Sequence, residues 1–228
     1  MNVILSHPQD HDAIWLYLAL QKQNIPIELI SPEELLMAKE WKQIINEDEN
    51  SFYIKTKKGV EISNKNLNFL FNRTQIPKSP IWEKAAEAEK QYVHAEMNAL
   101  LMSWLYQVQE SCPIYNPSIG YSLSGVFWSP EQWAKAAYVA GFKNVNSNNT
   151  HTPIGKNILV IGKKVITNCI NKQLVNNCIE LSNLAQTPLL EITVSNDEKN
   201  FIKANTFPSL INYGDKLVAI IKHIIHEN

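Results

Sequence analysis

Residues 2–34 read NVILSHPQDHDAIWLYLALQKQNIPIELISPEE, and this stretch decides the fold. Asn2–Ser6 is a short apolar run with the composition of a buried strand. A polar turn, His7–Asp12, leads into a periodic segment from Ala13 to Gln23 that places Ile14, Trp15 and Leu18 on one side. Ile25–Ile30 (IPIELI) is a second strand. Ser31-Pro32-Glu33-Glu34 is then a helix start: a serine cap, proline at the first helical position, and acidic residues facing the positive end of the helix. Strand, helix and strand with short loops predict a βαβ unit, which implies parallel pairing and a right-handed crossover.

Outward from that unit the chain stays mixed. Phe52–Thr56 and Val60–Ile62 flank Lys57-Lys58-Gly59, the pattern of a hairpin. Asn68–Phe71 (NFLF) is a short buried strand ending at Asn72-Arg73-Thr74, and the longest helical pattern runs from Ile81 to Val108. Ile114-Tyr115-Asn116-Pro117 is a strand end entering a turn. Ser129-Pro130-Glu131 opens another capped helix that stops at Gly141. Asn144–Thr150 is an asparagine-rich loop, since Asn tolerates left-handed backbone and local side-chain turns. Asn157–Ile161 and Val165-Ile166 form a hairpin around Gly162, Gln173–Ala185 is helical, Leu189–Val194 and Phe201–Ala204 are strands, and Asp215–His226 closes as an amphipathic helix. The fold class expected is α/β: a Rossmann-like domain over residues 1–114 and a smaller α+β domain over 115–228.

Composition removes several function classes. The chain has 228 residues, 45% of them apolar, with a formal net charge of −1. That is enough for a sizeable core, and the absence of a basic surplus argues against a nucleic-acid partner. No run approaches a membrane span, and the first residues lack the basic start and long apolar run of a secretory signal. Cys112, Cys169 and Cys178 form neither an even set nor a CxxC pair, which suits reduced thiols and a cytoplasmic address. With only 7 glycines there is no GxGxxG and no GxxxxGK[ST].

Three constellations carry candidate chemistry. His7-Pro8-Gln9-Asp10-His11-Asp12 follows the first strand, and the carboxyl ends of strands are where open α/β sheets bind ligands. His7 and Asp10, with His223 or His226 as a distant third ligand, would make a hydrolytic metal site. The plainer reading is a polar turn whose Asp caps a helix. The motif resembles the HPDD of the GlcNAc-phosphatidylinositol de-N-acetylase-like family, with Gln9 where the first Asp should stand. Arg73 past a buried strand can fork onto a carboxylate or phosphate, or form a buried ion pair with Glu96. Phe201–Leu210 (FIKANTFPSL) makes a shaped loop with Asn205, Pro208 and Ser209.

The order of these segments resembles the ATP-grasp superfamily, on the side of its RimK-like carboxylate–amine ligases. The first half is similar to the pre-ATP-grasp domain, with Asn72-Arg73-Thr74, a long helix and Asn116-Pro117-Ser118 in sequence. NILVIGKKVI (157–166) resembles the strand pair D-I-R-V-x-V-x-G-x-x-V, and FIKANTFPSL stands where the family carries E-V-N-x-x-P. The resemblance implies an interdomain cleft with Arg73, Glu96, Asn116, Lys203, Asn205 and Ser209 as candidate ligand-binding residues, which would take Mg-ATP were the chain a ligase.

The departures shape the functional expectation. Between Gly141 and Asn157 there are 15 residues, too few for the family's first subdomain with its phosphate-binding lysines and lid. Gly155 and Asn157 replace the Asp and Arg of D-I-R, and Lys203 replaces the Glu of E-V-N. Magnesium takes hard oxygen ligands, so a lysine there adds repulsion where carboxylate charge is required. The expectation is a truncated, non-catalytic binding or partner subunit with no cofactor. Its partner would be a companion enzyme, or a second copy using Met97, Leu101 and Trp104. An ATP-dependent carboxylate–amine ligase of reduced architecture is the alternative.

Overall fold

A computed structural model describes residues 1–47, 49–75, 86–145, 155–168 and 171–227. Asn2–Ser6 forms β1, His11–Lys22 forms α1 and Glu28–Ile30 forms β2. β1 pairs in parallel with β2 on one side and, on the other, with β6 (Phe69–Arg73), which pairs in parallel with β7 (Ile114–Tyr115). The resulting four-stranded sheet, β2-β1-β6-β7, is the parallel core that the opening stretch predicts. All five residues of β1 are buried, as a strand covered on both faces requires.

The face of α1 differs from the expected one. Ala13, Leu16 and Leu20 are buried, whereas Leu18 is half exposed. The helix is apolar nearly all round, so periodicity within it does not choose a face; the strands beneath it do.

After α2 (Pro32–Leu36) an antiparallel three-stranded sheet is inserted, β3 (Glu40–Ile45), β4 (Asn50–Lys55) and β5 (Glu61–Ser63). The hairpin around Gly59 is the expected one, but β3 (EWKQII) is not marked in the sequence, because its mixed polarity is that of a mostly solvated edge strand.

α3 (Glu87–Ser111) is the long helix, and the expected start at Ile81 lies outside the described residues. Its second half carries Leu101, Trp104, Leu105 and Val108 into a core with Val3, Leu5, Leu70, Phe52 and Ile54. Trp104 makes edge contacts with both Trp41 and Phe52 at ring distances of 6.2 and 6.0 Å. Leu101 and Trp104 are therefore spent inside their own subunit and cannot form the shared dimer face expected of them.

The second sheet is ordered β10-β9-β11-β12-β8, built from β8 (Asn144–Val145), β9 (Gly155–Ile161), β10 (Lys164–Ile166), β11 (Leu189–Ser195) and β12 (Asn200–Asn205). Pairing is antiparallel except for β8 with β12. Of the Asn144–Thr150 loop, the first two residues form β8 and the remainder lie outside the described residues. One face, with Ile158, Val160, Leu190 and Ile192, is covered by α4 (Pro130–Val139) and α5 (Lys172–Leu184). The opposite face is divided. Leu159, Ile161 and Leu189 pack with α1, with Phe69 and Phe71 of the first sheet, and with α6 (Gly214–Glu227) in one shared core. The rest of that face is polar, with Glu191 and Thr193 buried and Asn157 and Lys203 exposed. Among the described residues no helix is long and apolar enough to cross a membrane.

Candidate functional site

Arg73 ends β6 fully buried, and its partner is Asp10, not Glu96. Its Nε donates to Asp10 Oδ2 at 2.7 Å and its second terminal nitrogen donates to Oδ1 at 3.3 Å. The other terminal nitrogen donates to the Pro208 carbonyl at 2.9 Å, and the guanidinium lies 3.8 Å from the centre of the Phe207 ring. Asp10 also caps α1, accepting from the Ala13 amide at 3.1 Å. Glu96 is exposed on the first half of α3. The expected Arg73–Glu96 pair is thus replaced by one in which a loop carboxylate locks the strand end, the helix start and the chain's last loop together.

In the same region the residues of the metal alternative have other partners. Both Asp10 oxygens are engaged, His7 Nδ1 accepts from the Gln9 amide, and His223 pairs with Glu227 at 2.9 Å. No three His, Cys, Asp or Glu side chains come together as a metal cluster among the described residues. Asp10 is a helix cap and an ion-pair partner.

Asn116 is likewise an internal tie. It sits at φ 60°, in the left-handed region that Asn tolerates. Its amide donates to the carbonyls of Leu189 and Thr206 at 3.0 and 2.8 Å, and its oxygen accepts from the Leu189 amide at 2.9 Å. Asn72 donates to the carbonyls of Asn116 and Leu123 at 2.8 and 2.7 Å. These two side chains stitch the parallel sheet to β11. Ser209 donates to Asp12 at 3.1 Å.

Lys203 and Asn205 lie elsewhere, on the polar part of the second sheet's divided face. Register puts Lys203 opposite Thr193 and Asn205 opposite Glu191, while Thr193 is also opposite Asn157. Thr193 Oγ1 donates to Asn157 Oδ1 at 2.9 Å. The Tyr213 hydroxyl, on a 3-10 turn over Leu210–Tyr213, donates to Glu191 Oε2 at 2.5 Å. Burial and the neighbouring Glu191 carboxylate both push the Tyr213 phenol up from its ordinary range, so it stays a proton donor. Beside this face lies an open cleft of about 510 Å³ lined by Asn157, Ile166, Asn168, Asn212, Tyr213 and Lys216, among others. Glu191, Thr193 and Tyr213 are the residues that sequence reasoning missed. The available signal was a carboxylate inside the apolar run LLEITV, since a charge in a buried strand needs a reason.

A magnesium ion does not fit this residue set. Glu191 is a single carboxylate with one oxygen taken by Tyr213, and the Asn205 oxygen accepts from the Phe207 amide within its own turn at 3.0 Å. Lys203 shares the face, with no ion-pair partner among the described residues. A side chain at Gly155 would bring its Cβ within 2.4 Å of the Val194 carbonyl, so no carboxylate can stand there without moving β11. Divalent cations require several oxygen ligands, and this set offers too few and adds a positive charge.

No family model and no curated protein matches the chain. Solved structures do. The macrocyclase MdnC from Microcystis aeruginosa, bound with precursor peptide MdnA, superposes with a TM-score of 0.68 at 9% identity, covering 100% of each chain. A RiPP-associated ATP-grasp ligase from Chryseobacterium gregarium, in complex with ADP and a leader and core peptide, gives 0.66 at 13% identity, covering 100% of this chain and 98% of that one. The ATP-grasp ligase PsnB, with minimal precursor, Mg and ADP, gives 0.61 at 11%, covering 96% and 97%. At such identities the likeness is one of fold alone, and the fold of this chain is ATP-grasp-like.

Proposed function

We propose that the chain is a catalytically silent ATP-grasp-like protein that serves as a binding or partner subunit. On this reading residues 1–114 are the pre-ATP-grasp domain and 115–228 a reduced C-terminal lobe, of the RimK-like type. The observation that carries it is the charge set on the divided face: one tyrosine-capped carboxylate, Glu191, beside Lys203. Phosphoryl transfer depends on cations and lysines that neutralise developing charge, and this set holds no place for the metal. The 15 residues between Gly141 and Asn157 support the loss of the phosphate-binding subdomain. The partner is a companion enzyme or its peptide, by analogy with MdnC, which is bound to a precursor peptide, and with MdnB, a second macrocyclase of the same organism and a similar fold. The setting is cytoplasmic, with neither nucleic acid nor membrane involved.

The second reading, an ATP-dependent carboxylate–amine ligase, draws on the likeness to ligases that hold ADP. One assay separates them. Purified chain is incubated with Mg-ATP and a panel of carboxylate and amine acceptors, peptides included, and ADP release is followed. No release above the protein-free rate is expected; magnesium-dependent release with any acceptor pair would establish the ligase.

A further inference from the structure

The inserted sheet has an open edge at β3. Among the described residues the only strand beside β3 is β4, and its six residues pair with β4 without a bulge or a proline. The Asn46 amide donates to the Glu49 carbonyl at 3.0 Å, and bonded residues alternate along an antiparallel pair. Glu40, Lys42 and Ile44 therefore bond to β4, while the amides and carbonyls of Trp41, Gln43 and Ile45 point to the open side. Edges are commonly blunted by shortness, proline, bulges or lysine. β5, at the sheet's other edge, is only three residues long. On β3 the one such device, Lys42, is tied to Glu40 at 2.5 Å. The strand ends in two exposed isoleucines, Ile44 at 41% and Ile45 at 64%. Charge runs along it in one direction, with exposed Lys39 and Lys42 at its start and exposed Glu47 and Glu49 at its tip. The complement of such an edge is an antiparallel strand with the same order of charge, and β3 is itself that strand.

We propose that β3 pairs with β3 of a second copy of this chain, antiparallel about a two-fold axis at Gln43, so that the two inserted sheets become one. In that register Trp41 lies opposite Ile45 of the second copy, and Lys39 opposite its Glu47. Each outward amide and carbonyl of Trp41, Gln43 and Ile45 then has a partner. Residues directly opposite share a face, so the exposed Ile45 side chain packs against an indole, and each basic start meets an acidic tip. The contact is isologous, so it closes at two copies and consumes the edge instead of propagating it. It uses none of Met97, Leu101 and Trp104, the α3 residues that the sequence suggested for a dimer.

Sedimentation velocity of the full chain at low salt, over roughly 1–100 µM, tests the pairing, and a monomer–dimer equilibrium is expected within that range. Ile45→Lys sets an ammonium against the second copy's indole face at the strand junction and should weaken the dimer by about tenfold or more. Lys39→Glu and Glu47→Lys each place like charges opposite one another twice per dimer and should weaken it by about three- to tenfold. Lys39→Glu combined with Glu47→Lys reverses both members of each pair and should return the dissociation constant to within about twofold of the parent's. All three positions are exposed, so the circular dichroism of every variant should match the parent's. Monomer at every concentration would overturn the pairing and leave the edge to a strand of a different protein. A dimer untouched by Ile45→Lys, or a double variant no tighter than the single ones, would overturn it as well.

Discussion

Arg73 and Asp10 are 63 positions apart in the chain and end as one buried unit. Arg73 was legible as a residue needing a partner, because a guanidinium past a buried strand cannot be left alone. Which carboxylate answers was not legible, since Asp10, Asp12 and Glu96 all lay within plausible reach of a strand end. The outcome follows from position: Asp10 sits at the carboxyl end of the adjacent strand β1, and Glu96 on a part of α3 that leaves the core. Breaking a buried pair by removing one partner leaves an uncompensated charge, which costs about 3–5 kcal/mol. Asp10→Asn retains a helix-capping oxygen, so it isolates the ion pair. Urea unfolding should show a loss of about 3 kcal/mol with the slope unchanged. Asp12→Asn keeps an acceptor for Ser209 and Ile211 and gives up only the longer, 4.0 Å contact of Asp12 with Arg73, so it should stay within about 1 kcal/mol, and equal losses at the two positions would deny Asp10 its special place beside Arg73.

Among the elements, α1 and α3 show what periodicity can and cannot decide. Both were legible as helices, and the caps at Ser31 and Ser129 are where the sequence puts them, while of the two aspartates in the turn 7–12 it is Asp10 that caps α1. The buried face of α1 was not, because Ile14, Trp15, Leu16, Leu18 and Leu20 leave no polar stripe to exclude. Leu16→Ala should cost about 2–5 kcal/mol by leaving a cavity between helix and sheet, whereas Leu18→Ala, at a half-exposed site, should cost under about 1 kcal/mol. Chemical denaturation of the two variants reads the face directly, and reversed magnitudes would restore the Ile14–Leu18 face. In α3 the apolar density of its second half suggested an interface. Once β3 and β4 supply Trp41 and Phe52, the same residues are an ordinary core.

For the whole molecule, the two sheets share one core. Phe69 and Phe71 of the parallel sheet pack in the same cluster as Leu159, Ile161 and Leu189 of the second, with α1 and α6 between them. Asn116 adds three hydrogen bonds across the junction. Burial of this kind couples the halves, so calorimetry should show one unfolding transition. Asn116→Ala strands the Leu189 amide and two carbonyls and gives up a left-handed position that Asn tolerates better than Ala. It should lower stability by about 3 kcal/mol. Its transition should broaden or split if the junction is what makes unfolding cooperative. A parent chain that already melts in two steps would show that the sheets are energetically separate.

The sequence by itself determined the α/β class, the parallel βαβ start, the hairpins, the closing amphipathic helix and, through the resemblance, the fold. These depend on local periodicity, caps and turn residues, which act over a few positions of chain. It also placed Lys203 where a carboxylate would be required, a difference in charge that needs no coordinates. The tertiary structure decided the pairings that join distant segments: Arg73 with Asp10, Asn116 with Leu189, Tyr213 with Glu191, and the row Lys203–Thr193–Asn157. Register sets the last of these, and loops and turns packed against the sheet ends set the others; both depend on segments brought together from far apart in the chain.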